Sequence, residues 1–187
     1  MTTPQAYDSD STFDPLDIVE SILTEEGLDF ERTPEGDLGF ALSGDWRTYE
    51  MWFSWRPEGE CLQLCCSLDV ESGAGKPLTE DRLPGLYELL AVVNQHVWFG
   101  HFEVFRDPEG EAAGHDETKM GLYDVVFRHT VAVNPLERAS VSASAHMINS
   151  AAEAVDRFYP AFDFWFKGAL KARDAFAACL FETQGEA

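Results

Sequence analysis

No lysine or arginine occurs before Arg32, and the 187-residue chain has only 13 of them against 34 aspartates and glutamates, a net charge of −21. Such a field repels phosphate backbones and anionic lipid, which argues against nucleic acid and membrane surfaces as partners. It favours basic protein segments or cations, and its plainest consequence is solubility. Nine carboxylates precede Arg32, so the amino-terminal end is an acidic surface by composition. The chain also lacks any hydrophobic run long enough to span a bilayer, and no basic start leads into the apolar segment of a signal peptide.

Cysteine is scarce: Cys61, Cys65, Cys66 and Cys179. The first three share one apolar strand-like run, where free cysteine behaves as a small buried hydrophobe. Cys61-x3-Cys65-Cys66 is not the C-x2-C of a zinc knuckle, and in a strand Cys66 faces away from the other two. The expectation is a reduced, cytoplasmic protein with no metal and no cofactor. Catalytic signatures are missing too. There is no G-x-S-x-G elbow, and Gly73-Ala74-Gly75-Lys76-Pro77 has only the Gly-Lys echo of a phosphate loop.

What is present is a core. Apolar residues make up 45% and aromatics 13%, enough for one generous domain. The expected organisation is a flexible acidic tail over residues 1–13, a single domain over 14–182 and a carboxy-terminal tail over 183–187. Asp14-Pro15 opens a first helix that Gly27 stops. Short strands are predicted at Leu28–Arg32 and Leu38–Leu42 around a turn at Thr33 to Asp37. Tyr49, Met51, Phe53 and Trp55 alternate with polar neighbours, as do Leu62, Leu64, Cys66 and Leu68 after the Pro57–Glu60 turn, which predicts a hairpin. Thr79 is the expected N-cap of a second helix with Glu80 and Asp81 in its first turn and Leu83, Leu86, Leu90, Val93 and Val97 on its buried side. A polar loop from Asp107 to Lys119 joins two further strands. The last third reads as two helices; the first has a seam of Val141, Ala145, Ile148, Ala152, Val155 and Tyr159, and Pro160 is expected to break or kink it. The second is expected to carry Phe162, Trp165, Phe166, Leu170, Phe176 and Leu180. The order is α-β-β-β-β-α-β-β-α-α, an α+β fold with a twisted antiparallel sheet packed against helices.

Three segments carry a family likeness. Asn94 is followed by Trp98-Phe99-Gly100-His101-Phe102-Glu103; a strand Val126-Phe127-Arg128-His129 comes next, then a helix with Asp156-Arg157-Phe158-Tyr159-Pro160-Ala161-Phe162. Over about Leu83 to Leu180 the chain resembles the YbjN family of bacterial sensory transduction regulators. The resemblance implies a fold similar to type III secretion chaperones, and no enzymatic activity. The acidic, glycine-bearing loop between Phe105 and Leu122 departs from the family pattern.

Five residues stand out as a candidate interaction surface: Trp52, Trp98, His101, His129 and Arg157. Trp52 falls on the polar face of the hairpin, where a large aromatic suggests a contact. His101 and His129 lie on strands expected to pair, with Glu103 and Arg128 flanking them; such histidines also hydrogen-bond backbone or stack on aromatics. Arg157 with its aromatic neighbours is either a binding ridge or a stem covering core aromatics. The leading reading is a non-catalytic protein-interaction module, a regulator or chaperone-like protein that binds another polypeptide, with a homodimer as one form of that association. A small-ligand or metal sensor with a pocket near the Trp98–His101 junction is the first alternative. An enzyme whose pocket gathers His101, His129 and Glu103 is the second.

Overall fold

The computed structural model describes residues 14–69, 78, 80–106, 123–133 and 141–182. The first helix, α1 (Leu16–Glu25), starts where the Asp14 carboxylate accepts the Leu16 N–H at 2.9 Å. It ends at Gly27, whose φ of +69° turns the chain. The Gly27 N–H reaches the Thr24 carbonyl and the Leu28 N–H the Leu23 carbonyl, the paired bonds that close a helix on glycine.

Strands β1 (Phe30–Arg32), β2 (Leu38–Ser43), β3 (Thr48–Arg56) and β4 (Cys61–Ser67) then run as a meander. Helix α2 (Leu83–Val93) leads to β5 (His101–Arg106) and β6 (Tyr123–Ala132), and α3 (Val141–Phe166) and α4 (Ala172–Glu182) close the chain. All pairings are antiparallel, in the order β1-β2-β3-β4-β6-β5. It is β6, not β5, that lies against β4, so α2 carries the chain to the far edge and β6 returns it. The protein is an α+β domain with the predicted order of elements.

The register sorts the side chains. Phe40, Met51, Cys66, Phe127 and Phe102 form one cross-strand row under the helices, and Leu38, Phe53, Leu64 and His129 form the next. These rows and the inward sides of the four described helices make one hydrophobic cluster. On the opposite face Gly39, Trp52, Cys65, Arg128 and His101 share a row, and Glu50, Ser67, Val126 and Glu103 another. That face is less open than alternation implied: Cys65, Val126 and Ser54 are all buried on it.

Several local expectations are corrected. Helix α2 begins at Leu83, with Glu80 to Arg82 in the turn before it and Pro84 in its first turn, where a missing N–H is harmless. Thr79 lies outside the described residues, as do residues 107–122. Helix α3 continues unbroken past Pro160 to Phe166. Pro160 is itself buried, with Ala161 and Phe162 beside it, and this packing outweighs one lost helical bond. The break falls at Gly168 instead, with φ +70° and the same two closing bonds as at Gly27, so Phe162, Trp165 and Phe166 belong to α3. The seam of α3 is also turned from the predicted one. Ile148 and Val155 are buried as predicted, but Ser144, Met147, Ala151, Ala154 and Phe158 are buried with them and Val141 is exposed.

Candidate functional site

At the carboxy-terminal end of α2 a single 3-10 turn, Asn94–His96, leads into the exposed pair Trp98-Phe99. Trp98 is 91% exposed, more than any other large apolar side chain described, and Phe99 is 48% exposed. Exposure of this order at a frayed loop would carry no meaning. Here the segment is pinned at both ends. The Asn94 side-chain amide accepts the Phe102 N–H at 2.8 Å and donates to the Phe102 carbonyl at 2.9 Å, so it pairs with the sheet edge as a neighbouring strand does. Gly100, at φ +75°, makes the reversal between them. The tryptophan is held out in water by construction.

Beneath the tip, Phe99 meets two histidines. Its ring stacks on His129 at 5.9 Å and meets His146 of α3 edge-on at 4.7 Å. His129 is buried on the helix side of the sheet, and its Nδ1 lies 3.4 Å from the Ser150 hydroxyl. Burial first, and His146 second, hold the His129 imidazole below its ordinary value of 6.5. The sign follows: the unfolded chain takes up this proton at a higher pH than the native one. Stability linked to His129 is therefore complete above 6.5 and drains as pH falls through that value. Thermal melts at about pH 7.5 and about pH 5.5 check it. The wild type is expected to lose melting temperature between the two, and His129→Leu to lose less; equal losses would remove the linkage.

A cleft of about 60 Å³ lies beside the tip. Trp98 and Phe99 form one wall, Glu153 and Arg157 of α3 the other, and Ala154 and Phe158 are buried beneath. Arg157 lies over the Phe158 ring at 5.2 Å, covering the aromatic with its own charge. Among the described residues neither Glu153 nor Arg157 makes an ion pair, although they stand one turn apart.

Of the five candidate residues, the structure brings Trp98 and Arg157 to this cleft and places His129 next to it, under Phe99. Trp52 and His101 lie on the opposite face of the sheet. His101 pairs in register with Arg128, not with His129, so consecutive positions on β6 send the two histidines to opposite sides. Glu103 goes with His101, at 3.4 Å, and binds Arg128 at 2.7 Å, which also donates to Gln63 at 3.0 Å. The pocket that would gather His101, His129 and Glu103 therefore does not form. Trp52 is half-buried between Gly39 and Cys65 in the register, so it is not a free surface aromatic. Among the described residues no group of three metal-ligating side chains comes together, and all four cysteines are free thiols. Burial pushes the Cys65 and Cys66 thiols up, away from reactivity. No helix of the described residues is long and apolar enough to cross a membrane.

Three participants escaped sequence reasoning. Asn94 was visible only as a helix-ending residue, and nothing local shows that its amide reaches a strand eight positions on. Glu153 and His146 lie off the buried seam in either phase, and nothing local shows that they come beside the tip.

The fold is an α+β domain, an antiparallel sheet packed against helices, with the Trp98-Phe99 tip beside its β5 edge. The profile of the YbjN family, described as "putative bacterial sensory transduction regulator", matches residues 15–164. The chain belongs to the YbjN family. The match takes in the amino-terminal helix and the meander as well as the segments around Gly100, Arg128 and Asp156. A search of curated proteins finds no match.

Proposed function

We propose that this YbjN-family chain is a non-catalytic interaction module, a regulator or chaperone-like protein that engages a protein partner through the Trp98-Phe99 tip. The observation that carries the reading is Trp98, 91% exposed on a segment anchored by Asn94 and Gly100. An exposed indole offers roughly 200 Å² of surface, and removing that from water is worth on the order of 4–5 kcal/mol before ordering costs. Tryptophan held rigid gives up little entropy on binding, which is why it recurs as an interface anchor. The strongly acidic composition and the absence of a membrane-spanning helix among the described residues favour a cytoplasmic setting.

Trp98→Ser is the test, by thermal melting and by affinity capture from lysate of the native host read by mass spectrometry. The melting temperature is expected to move by less than about 2 °C, because an exposed side chain supports no packing. A protein retained by the wild type and lost by Trp98→Ser supports the module. Identical captures, with both proteins folded, refute the tip as its surface.

The cleft also bears on the small-ligand alternative. Sites for free metabolites usually enclose about 300–1,000 Å³. The cleft beside Trp98, at about 60 Å³, suits one side chain of a larger partner. The cavity of about 260 Å³ between α1, β2 and α3 lies away from the Trp98–His101 junction.

A further inference from the structure

We propose that the cleft beside Trp98 receives an arginine or lysine side chain from a basic segment of a partner protein, its cationic head set between the Glu153 carboxylate and the face of the Trp98 indole. This rests on the interaction-module reading and names the chemistry of the occupant.

Three observations converge on a cation. The first is the aromatic lining. Trp98 presents an open face, and Phe99 and Phe158 line the same cleft; the faces of such rings attract cations. The fold already uses this contact repeatedly: Arg157 sits over Phe158 at 5.2 Å, Arg82 over Trp165 at 4.6 Å and Arg47 over Tyr159 at 5.8 Å. The second is Glu153, whose exposed carboxylate has no cationic partner among the described residues. Arg157, one turn away, is the natural partner by spacing but lies on Phe158 instead. The third is the net charge of −21, which draws basic segments in and slows anionic ones. An anionic group aimed at Arg157 would meet that repulsion, so it is the weaker occupant. Arg157 and an incoming cation repel one another. A guanidinium already resting on a ring in this cleft nonetheless shows that the site accommodates the geometry.

The probe is a fluorescein-labelled peptide, Gly-Ser-Leu-Arg-Leu-Arg-Ser-Gly, compared with the same peptide carrying citrulline at both arginines and with one carrying glutamate there. Binding is read by fluorescence anisotropy at near-physiological salt. The indole N–H resonances serve as a second readout, with that of Trp98 assigned from its absence in Trp98→Ser. The wild type is expected to bind the arginine peptide, to bind the citrulline peptide at least about tenfold more weakly, and to shift the Trp98 resonance. Glu153→Gln is expected to weaken the arginine peptide about fivefold and Trp98→Ser about tenfold, with melting temperatures unchanged, because both positions are exposed. Glu153→Gln removes one carboxylate of 34, so a general field alone leaves affinity nearly unmoved. Unmoved affinity in both variants overturns the proposal, as does preference for the glutamate peptide. If a natural partner is captured by the wild type, lost by Trp98→Ser and kept by Glu153→Gln, the module stands and the cationic occupant falls. If no partner depends on Trp98 either, both fall.

Discussion

Gly100→Val is expected to leave the protein unfolded or insoluble. At φ +75° the residue occupies a backbone conformation that a β-branched side chain tolerates poorly. A Cβ at position 100 would lie 2.6 Å from the Arg128 carbonyl oxygen and 2.6 Å from the Phe127 ring. The first of these is backbone of β6, held between the end of the β5 ladder and the interior of the β4 ladder, and cannot swing aside. Phe127 is fully buried and packs edge-on against Phe102 at 5.3 Å, so its ring cannot retreat either. Left-handed strain of about 1–2 kcal/mol and overpacking of about 1–3 kcal/mol add up to a large part of the stability of an ordinary domain. Circular dichroism and thermal melting of the purified variant are the check. A soluble Gly100→Val protein melting within a few degrees of the wild type would sink the argument, and with it the claim that Trp98 stands on a rigid turn.

Asp156→Ala is expected to lower stability by about 3 kcal/mol, or roughly 6–12 °C in melting temperature for a chain of this size. Asp156 ties α3 to the turn between β2 and β3. Its carboxylate accepts the Asp45 N–H at 2.9 and 3.0 Å and the Tyr49 hydroxyl at 2.9 Å. The approach is close enough that a Cβ on Gly44 would come within 2.5 Å of Asp156 Oδ1 and of the Tyr49 ring. Tyr49 is 1% exposed, so removing its acceptor strands a buried hydroxyl, which is where most of the loss arises. Burial first, and the bond to Asp156 second, push the Tyr49 hydroxyl up from its ordinary 10, so this tie holds through neutral pH and is lost only in strong alkali. Asp156→Asn keeps an acceptor and is expected to lose less. Adding Tyr49→Phe to Asp156→Ala is expected to recover part of the loss, since the stranded group is gone. A double variant no better than Asp156→Ala would show that the hydroxyl is not the source.

Much of the fold was legible in the residues themselves. Aspartate before α1 and Gly27 after it mark a helix whose ends close as the chemistry of caps demands. Strict alternation in Tyr49 to Trp55 and in Leu62 to Leu68 named both the hairpin and its inward face, because in a strand the period of two leaves only one choice of side. The Trp-x-Gly-x-Phe junction pointed to the right region and to the family. Pro160 misled, since a local rule about one lost hydrogen bond says nothing of the buried surface on either side of it. Long helix α3 misled in a second way: alanine and serine fit either side of a helix, so its seam was weakly encoded and tertiary packing chose it.

The candidate site was half legible. Trp98 and Arg157 were both singled out, yet only the folded chain joins them across a cleft, because they lie on elements separated by nearly sixty residues. His101 and His129 looked like neighbours and proved to be on opposite faces. The acidic amino-terminal surface is in part a structural clamp: Arg32 on β1 binds Asp14 at 2.7 Å, Asp17 at 2.8 Å and Glu20.

By itself, then, the amino-acid order determined what is local: where helices begin and end, which strand residues alternate and where a glycine must turn the chain, together with the net negative charge. The tertiary structure alone decided that β6 pairs with β4, that Asn94 seals the edge at Phe102, that Glu153 and Trp98 line one cleft and that the two histidines part. Each of these is set by pairing between distant segments, and a period of two or of 3.6 fixes a side chain's phase along its own element without naming the element across from it.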